Sequence, residues 1–196
     1  KRQQRLIKNL KESKTARAKN RCFFVEGVRS VEEVFDSDYD IRFVVLSDSF
    51  LGSDDVLLQK IKRKVSDDKF YRVSNRTFSE LTDTVTPQGI LAVINFADEK
   101  IDDILKDNFL IVALDRIQDP GNMGTIIRTA DAAGTDGIIV GKGCVDIYSP
   151  KVVRSAMGSL FHIPIVQTDD LGKTLVELKQ KGGQILTTHL SAKKDY

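Results

Sequence analysis

The 196-residue sequence predicts an α/β protein made of two successive units. Three observations predict it. Short runs rich in Val, Ile and Phe alternate with stretches whose apolar residues recur at helical spacing, the pattern of a mainly parallel sheet covered by helices. The alternation stops at an acidic stretch, ADEKIDDILKDN (97–108), and then restarts. Apolar residues make up 41% of the sequence, enough for a packed core, while 30% are charged and no apolar run approaches the roughly 18 residues of a membrane span.

The elements follow in order. Residues 2–18 lack strong breakers and place Leu6, Ile7 and Leu10 on one face, which predicts an amphipathic helix. CFFVEG (22–27) predicts a strand ending in Gly27, and VRSVEEVFD (28–36) a helix with Val28, Val31 and Phe35 inward. IRFVVLS (41–47) reads as a buried strand, 54–65 as helix, KFYRV (69–73) as strand, 75–82 as helix and GILAVINF (89–96) as a second buried strand. The acidic stretch reads as a connection, so the expected division is a unit over 1–97, a linker over 98–108 and a unit over 109–196. In the second unit, strands are expected at 109–114 (FLIVAL), 137–140 (GIIV), 163–166 (IPIV) and 184–188 (QILTT), and helices at 122–133, 149–157 and 169–181.

The net charge of +2 conceals an asymmetry. Residues 1–21 hold nine Lys and Arg against Glu12 alone, a net of +8, so the other 175 residues carry −6. A basic arm that includes Lys8, Lys11, Lys14 and Arg17 suits a polyanion, because clustered cations release the counterions of phosphates. It also suits a merely solvated helix. Cys22 and Cys144 lie far apart without a CxxC spacing and read as reduced thiols of a cytoplasmic protein. His162 and His189 are isolated, so neither a metal site nor a Ser-His-Asp triad is expected. Gly141-Lys142-Gly143 lacks the third glycine of a dinucleotide loop.

The richest chemistry follows the strand at 109–114. Asp119-Pro120-Gly121 is turn chemistry, and Asn122 suits a helix N-cap. In open α/β sheets ligands sit at the carboxyl ends of strands, and a helix that starts there offers unpaired N–H groups to an anion. Gly124 is expected to let a ligand come close, and Arg128 lies at the edge of the apolar stripe formed by Ile126, Ile127, Ala130 and Ala133. With Asp115, Thr129 and Gly134, these residues make residues 114–134 (LDRIQDPGNMGTIIRTADAAG) closely resemble the first motif of the SpoU (TrmH-like) branch of the SPOUT methyltransferases. SPKVVRSAMGSLFHIPIV (149–166), QILTTHLSAK (184–193) and FFVEGVRSVEEVF (23–35) resemble other segments of that family.

The resemblance implies a small ribosomal-protein-like α/β domain followed by an α/β-knot (SPOUT) methyltransferase domain. It implies S-adenosylmethionine as cofactor and a ribose 2′-hydroxyl of RNA as target, with large-subunit rRNA favoured by the extra N-terminal domain. A tRNA enzyme and a non-catalytic RNA-binding relative stand as alternatives. Arg128 matches the residue to which the family assigns removal of the ribose proton, and Asn122 the residue that positions Arg128 or the target ribose, although Asn122 also reads as a plain cap. Thr188, His189 and Leu190 match the loop at the cofactor pocket. Arg154 reads as an RNA-phosphate contact or as a structural ion pair, and Glu26 and Arg29 as residues that hold the N-terminal domain's turn. The resemblance also implies a homodimer of the full-length protein, formed through the knot as is usual in the family. The family's two later motifs, a Gly-Asn-Glu-Gly-like loop and a proline-led Ser/Asn/Val segment, are not in this sequence. The expectation is therefore that the knot region is missing and that this chain by itself is inactive, as a truncated enzyme or a degenerate relative.

Overall fold

The computed structural model describes residues 1–53 and 56–188. The basic arm is two helices, α1 (Arg2–Glu12) and α2 (Lys14–Asn20), rather than one. Ser13 takes an extended conformation between them, and its hydroxyl accepts from the Ala16 N–H at 3.1 Å, capping α2. Ser is a strong N-cap because its side chain satisfies one of the orphan donors of a new helix.

The first unit continues with β1 (Cys22–Glu26), α3 (Val28–Asp36), β2 (Ile41–Ser47), α4 (Asp48–Leu51), α5 (Val56–Lys64), β3 (Phe70–Val73), α6 (Asn75–Leu81) and β4 (Ile90–Asn95). Its sheet has the order β1-β4-β2-β3. β2 and β3 pair in parallel, but β4 pairs antiparallel with both β1 and β2. Strands β1 to β3 therefore run one way, as the α/β alternation predicts, and β4 enters between β1 and β2 in the opposite sense. A buried strand reads as the same apolar run in either direction, so its sense is not in the pattern.

Side chains alternate across this sheet. Phe23, Val25, Val44, Leu46, Ile90, Ala92 and Ile94 face the core shared with α3 and α5, while Phe24, Phe43, Val45, Leu91 and Val93 face α1 and α6 through Ile7, Leu10 and Phe78.

The second unit holds β5 (Ile111–Leu114), α7 (Pro120–Ala132), β6 (Gly137–Gly141), α8 (Pro150–Ala156), β7 (Ile165–Thr168) and α9 (Leu171–Gln180). Its sheet, β5-β6-β7, is wholly parallel. Ile138 and Val140 of β6 face α7 and α8, whereas Ile139 faces α9 through Leu178 and meets Ile104, which the acidic connection buries completely. The expected strand at 184–188 is not formed. Gln184–Thr188 is irregular and exposed, and an extended run becomes a strand only where a neighbour's ladder satisfies its backbone.

One core runs through both units. Phe96, just past β4, stacks on Tyr148, just before α8, with ring centroids 4.0 Å apart and planes 17° from parallel. Phe23 of β1 lies 4.6 Å from the Tyr148 ring, and the Tyr39 hydroxyl donates to the Leu160 carbonyl at 3.3 Å.

Candidate active site

β5 ends at Leu114, and the loop beyond it is joined to the loop beyond β6. The Val145 N–H donates to the Ile117 carbonyl at 2.8 Å, the Gln118 amide to the Gly143 carbonyl at 2.8 Å, and the Ile117 N–H to the Cys144 sulfur at 3.3 Å. Arg116 takes a left-handed conformation there, φ 51°, and pairs with Asp115. These bonds hold both loops above the carboxyl ends of parallel strands, where ligands of open α/β sheets bind.

α7 begins two residues before the position expected from the sequence. Pro120 is its first residue, and Asp119 is its N-cap, accepting from the Asn122 N–H at 2.7 Å. The lost N–H of proline costs nothing at the first helical position, so the helix starts there and Asn122 is not the cap. Its side chain is exposed in the first turn.

Gly124 is also corrected. It is buried against α8, where an added Cβ would lie 2.3 Å from the Ser155 Cβ and 2.8 Å from the Ala156 nitrogen. It serves close helix packing rather than the approach of a ligand.

Arg128 is exposed on α7, and its Nη1 donates to the Met157 sulfur at 2.7 Å. Met157 terminates α8 in a left-handed conformation, φ 50°. A thioether is a weak acceptor, so the five-donor guanidinium retains its capacity for a phosphate or hydroxyl oxygen. Asn122 and Arg128 are six residues apart on α7, about 9 Å along its axis, and no hydrogen bond joins them among the described residues. Arg154 is exposed on α8, and its charge acts on Glu26 of β1. Burial pushes the Glu26 carboxyl up, and the Thr84 hydroxyl that it accepts, then Arg154, offset this in part. Its Oε2 is buried with no hydrogen-bond partner among the described residues. Arg29 is exposed.

The basic arm divides. Lys8 and Lys14 are exposed, and Lys11 pairs with Asp83 at 3.0 Å. Arg17 is buried. It is 5% exposed, with Nε and Nη2 each 2.7 Å from Asp146 Oδ2 and Nη1 donating to the Leu10 carbonyl. Its donors are spent inside the protein, so the expected phosphate contact is corrected to an internal ion pair. Nothing local in the sequence marks Asp146 or Met157, because their partners lie 129 and 29 residues away.

Of the expected cofactor residues, His189 and Leu190 lie outside the described residues, and Thr188 is exposed. An open cavity of about 470 Å³ lies beside Phe109, Ala113, Leu175 and Ile185, but α9 lines it, so the sheet separates it from the α7–α8 face that carries Arg128. Arg128 and Arg154 are thus exposed on the α7–α8 face, on the other side of the sheet from this cavity. No metal-holding group of His, Cys, Asp and Glu occurs among the described residues, and no helix among them is long and apolar enough to cross a membrane.

Comparison with known proteins places this geometry. Residues 109–196 match the SpoU rRNA Methylase family, and residues 2–92 match the MRM3-like substrate binding domain. The 23S rRNA (guanosine(2553)-2'-O)-methyltransferase RlmP of Bacillus subtilis is 36% identical over 178 residues, which are 91% of this chain and 66% of that protein. Mitochondrial rRNA methyltransferase 3A of Danio rerio is 30% identical, over 86% of this chain and 40% of its own. The chain thus spans less than two thirds of these relatives' lengths. Among solved structures, the AdoMet-bound rRNA methyltransferase from Sinorhizobium meliloti superposes with a TM-score of 0.80 at 30% identity, over 96% of this chain and 69% of that one. AviRb from Streptomyces viridochromogenes in complex with AdoMet gives 0.79 at 28%, over 92% and 69%. With both of its segments matched and its fold shared along nearly its whole length, the chain belongs to the SpoU rRNA methylase family.

Proposed function

We propose that this chain carries the RNA-binding and ribose-facing part of an enzyme that methylates a 2′-hydroxyl of large-subunit rRNA, with S-adenosylmethionine as methyl donor. In this reading residues 1–97 bind the RNA substrate, 98–108 connect, and 109–196 belong to the methyltransferase domain. The observation that carries it is the exposed Arg128 on an intact, Asp119-capped α7 in a chain of this family. Support for the donor comes from the two relatives solved with AdoMet, and support for the RNA from the rRNA named in the relatives.

The reaction forms a ribose O–CH3 bond, breaks the sulfonium S–CH3 bond and releases the hydroxyl proton. The cofactor supplies an electrophilic methyl group. A ribose hydroxyl is a weak nucleophile, so its proton must be shared or removed during attack. A guanidinium, with a pKa above about 12, is a poor base. Arg128 therefore orients the hydroxyl and the adjacent phosphate, a phosphate oxygen or water accepts the proton, and Asn122 positions the ribose. Exposed Arg154, Lys8 and Lys14 meet the RNA backbone, and Thr188, His189 and Leu190 belong to the cofactor side. The enzyme works in the cytoplasm, which suits the two free thiols, and as a homodimer, as the family resemblance implies.

The test is transfer of labelled methyl groups by the full-length protein to unmodified large-subunit rRNA or tRNA, with 2′-O-methyl sites mapped afterwards. Label at one ribose of the rRNA is the expected result. Label on tRNA alone would reassign the substrate, and label on neither would refute the reading.

A further inference from the structure

The arm's one buried cation is the strongest feature that the proposed reaction does not use. Arg17 belongs to α2, yet its guanidinium meets Asp146 in the loop between β6 and α8. The side chains are 6% and 12% exposed. Asp146 is itself engaged twice, because its other oxygen accepts the Tyr148 N–H at 3.0 Å and so organises the turn into α8. Tyr148 then stacks on Phe96. α8 in turn carries Arg154 and ends at Met157, the contact of Arg128.

A consequence of this seating is visible on the surface. Lys14, one turn before Arg17, lines a cleft of about 160 Å³ together with Gly141, Lys142, Cys144, Thr168 and Asp169, at the carboxyl ends of β6 and β7. Lys142 is only loosely matched by Asp169, 3.8 Å away and almost fully exposed, a pairing worth little in water. Two cations from opposite halves of the chain thus border one cleft.

We infer that Arg17 is a positioning residue for RNA: its pairing with Asp146 seats α2 on the β6–α8 loop so that Lys14 and Lys142 form one phosphate-binding ledge across the two units. A buried ion pair is a poor source of stability, since apolar side chains of similar size often replace it without loss, but its directional bonds fix one register. Here the register is that of the basic arm against the methyltransferase unit. The inference rests on the RNA-methyltransferase reading, and its test does not depend on methyl transfer.

The experiment measures the Kd of the full-length protein for an unmodified large-subunit rRNA transcript, without cofactor and well below the unfolding temperature. Arg17→Gln and Asp146→Asn are each expected to weaken binding about tenfold, and the double variant no more than either alone. A direct phosphate contact by Arg17 predicts otherwise. Asp146→Asn would then leave Kd unchanged or tighten it, and that result overturns the inference. Lowered melting temperatures with unchanged Kd would also overturn it, by reducing the pair to a structural role. Should the single variants not fold, Arg17→Met with Asp146→Leu keeps the site packed. About tenfold weaker binding by that protein supports the inference, and wild-type binding overturns it. A wild type that binds RNA but transfers no methyl refutes the enzyme reading and leaves this one standing. A wild type that does not bind the transcript refutes both.

Discussion

Gly124 of α7 and Ser155 of α8 touch so closely that a Cβ on the glycine would lie 2.3 Å from the Cβ of the serine. The two helices that carry Arg128, Arg154 and Met157 are locked together at this point. Gly124→Ala improves helix propensity by about 1 kcal/mol, but overpacking costs about 1–3 kcal/mol. Thermal melts are expected to show a net loss of stability. Ser155→Gly should restore only part of it, because the Ser155 carbonyl carbon and the Ala156 nitrogen would still stand 2.7 and 2.8 Å away. An unchanged or raised melting temperature in Gly124→Ala would mean that the contact is not rigid.

Asp119 makes a second prediction at the other end of the same helix. Its carboxylate accepts from the Asn122 N–H and faces the positive end of α7. Asp119→Ala is expected to cost about 1 kcal/mol, seen as a melting point lowered by roughly 2–4 °C for a chain of this size. Asn122→Ala should cost much less, since Asn122 caps nothing. Equal losses in the two variants would restore Asn122 as the cap.

Much of this architecture is legible in the sequence, and the failures share a cause. The helix at Val28–Asp36 and the strand at Ile41–Ser47 fall where periodicity puts them, because local spacing alone decides which residues face a core. The reversed sense of β4 is not legible, since direction depends on which neighbours a buried strand finds. Arg17 reads as one more cation of a basic arm, and only folding brings it to Asp146. Arg128 stands out through family resemblance, whereas its contact with Met157 requires the crossing of α7 and α8. Local rules thus locate the elements and the motif, and non-local pairing determines which charges remain outside.

Glu26 carries a pH signature. Burial raises its pKa above the ordinary 4.5, so the fold disfavours the ionised form. A raised carboxyl contributes stability while it is protonated, and that contribution is lost as pH rises through the folded value. Glu26→Gln keeps an acceptor for the Thr84 hydroxyl and removes the charge. It should be more stable than wild type at neutral pH, and the advantage should shrink as pH falls toward 4.5. Paired melts across that range check this. A difference that does not vary with pH would show that the carboxyl titrates normally.

Arg128 separates orientation from proton removal. The side chain is exposed, so Arg128→Ala should change stability by no more than about 0.5 kcal/mol. Under the proposed mechanism its loss should nevertheless lower kcat by about 10²–10³, the scale for removing one well-placed donor to a developing negative charge. Arg128→Lys keeps the charge and loses the planar fork that can hold a phosphate and a hydroxyl together. If orientation is the role, lysine recovers less than a tenth of the lost rate, and RNA affinity stays near wild type in both variants. If the side chain merely supplies charge, lysine restores turnover almost fully. A lysine variant with near-normal kcat in single-turnover methyl transfer would therefore remove the fork from the mechanism, while the assignment of the chain to its family would stand.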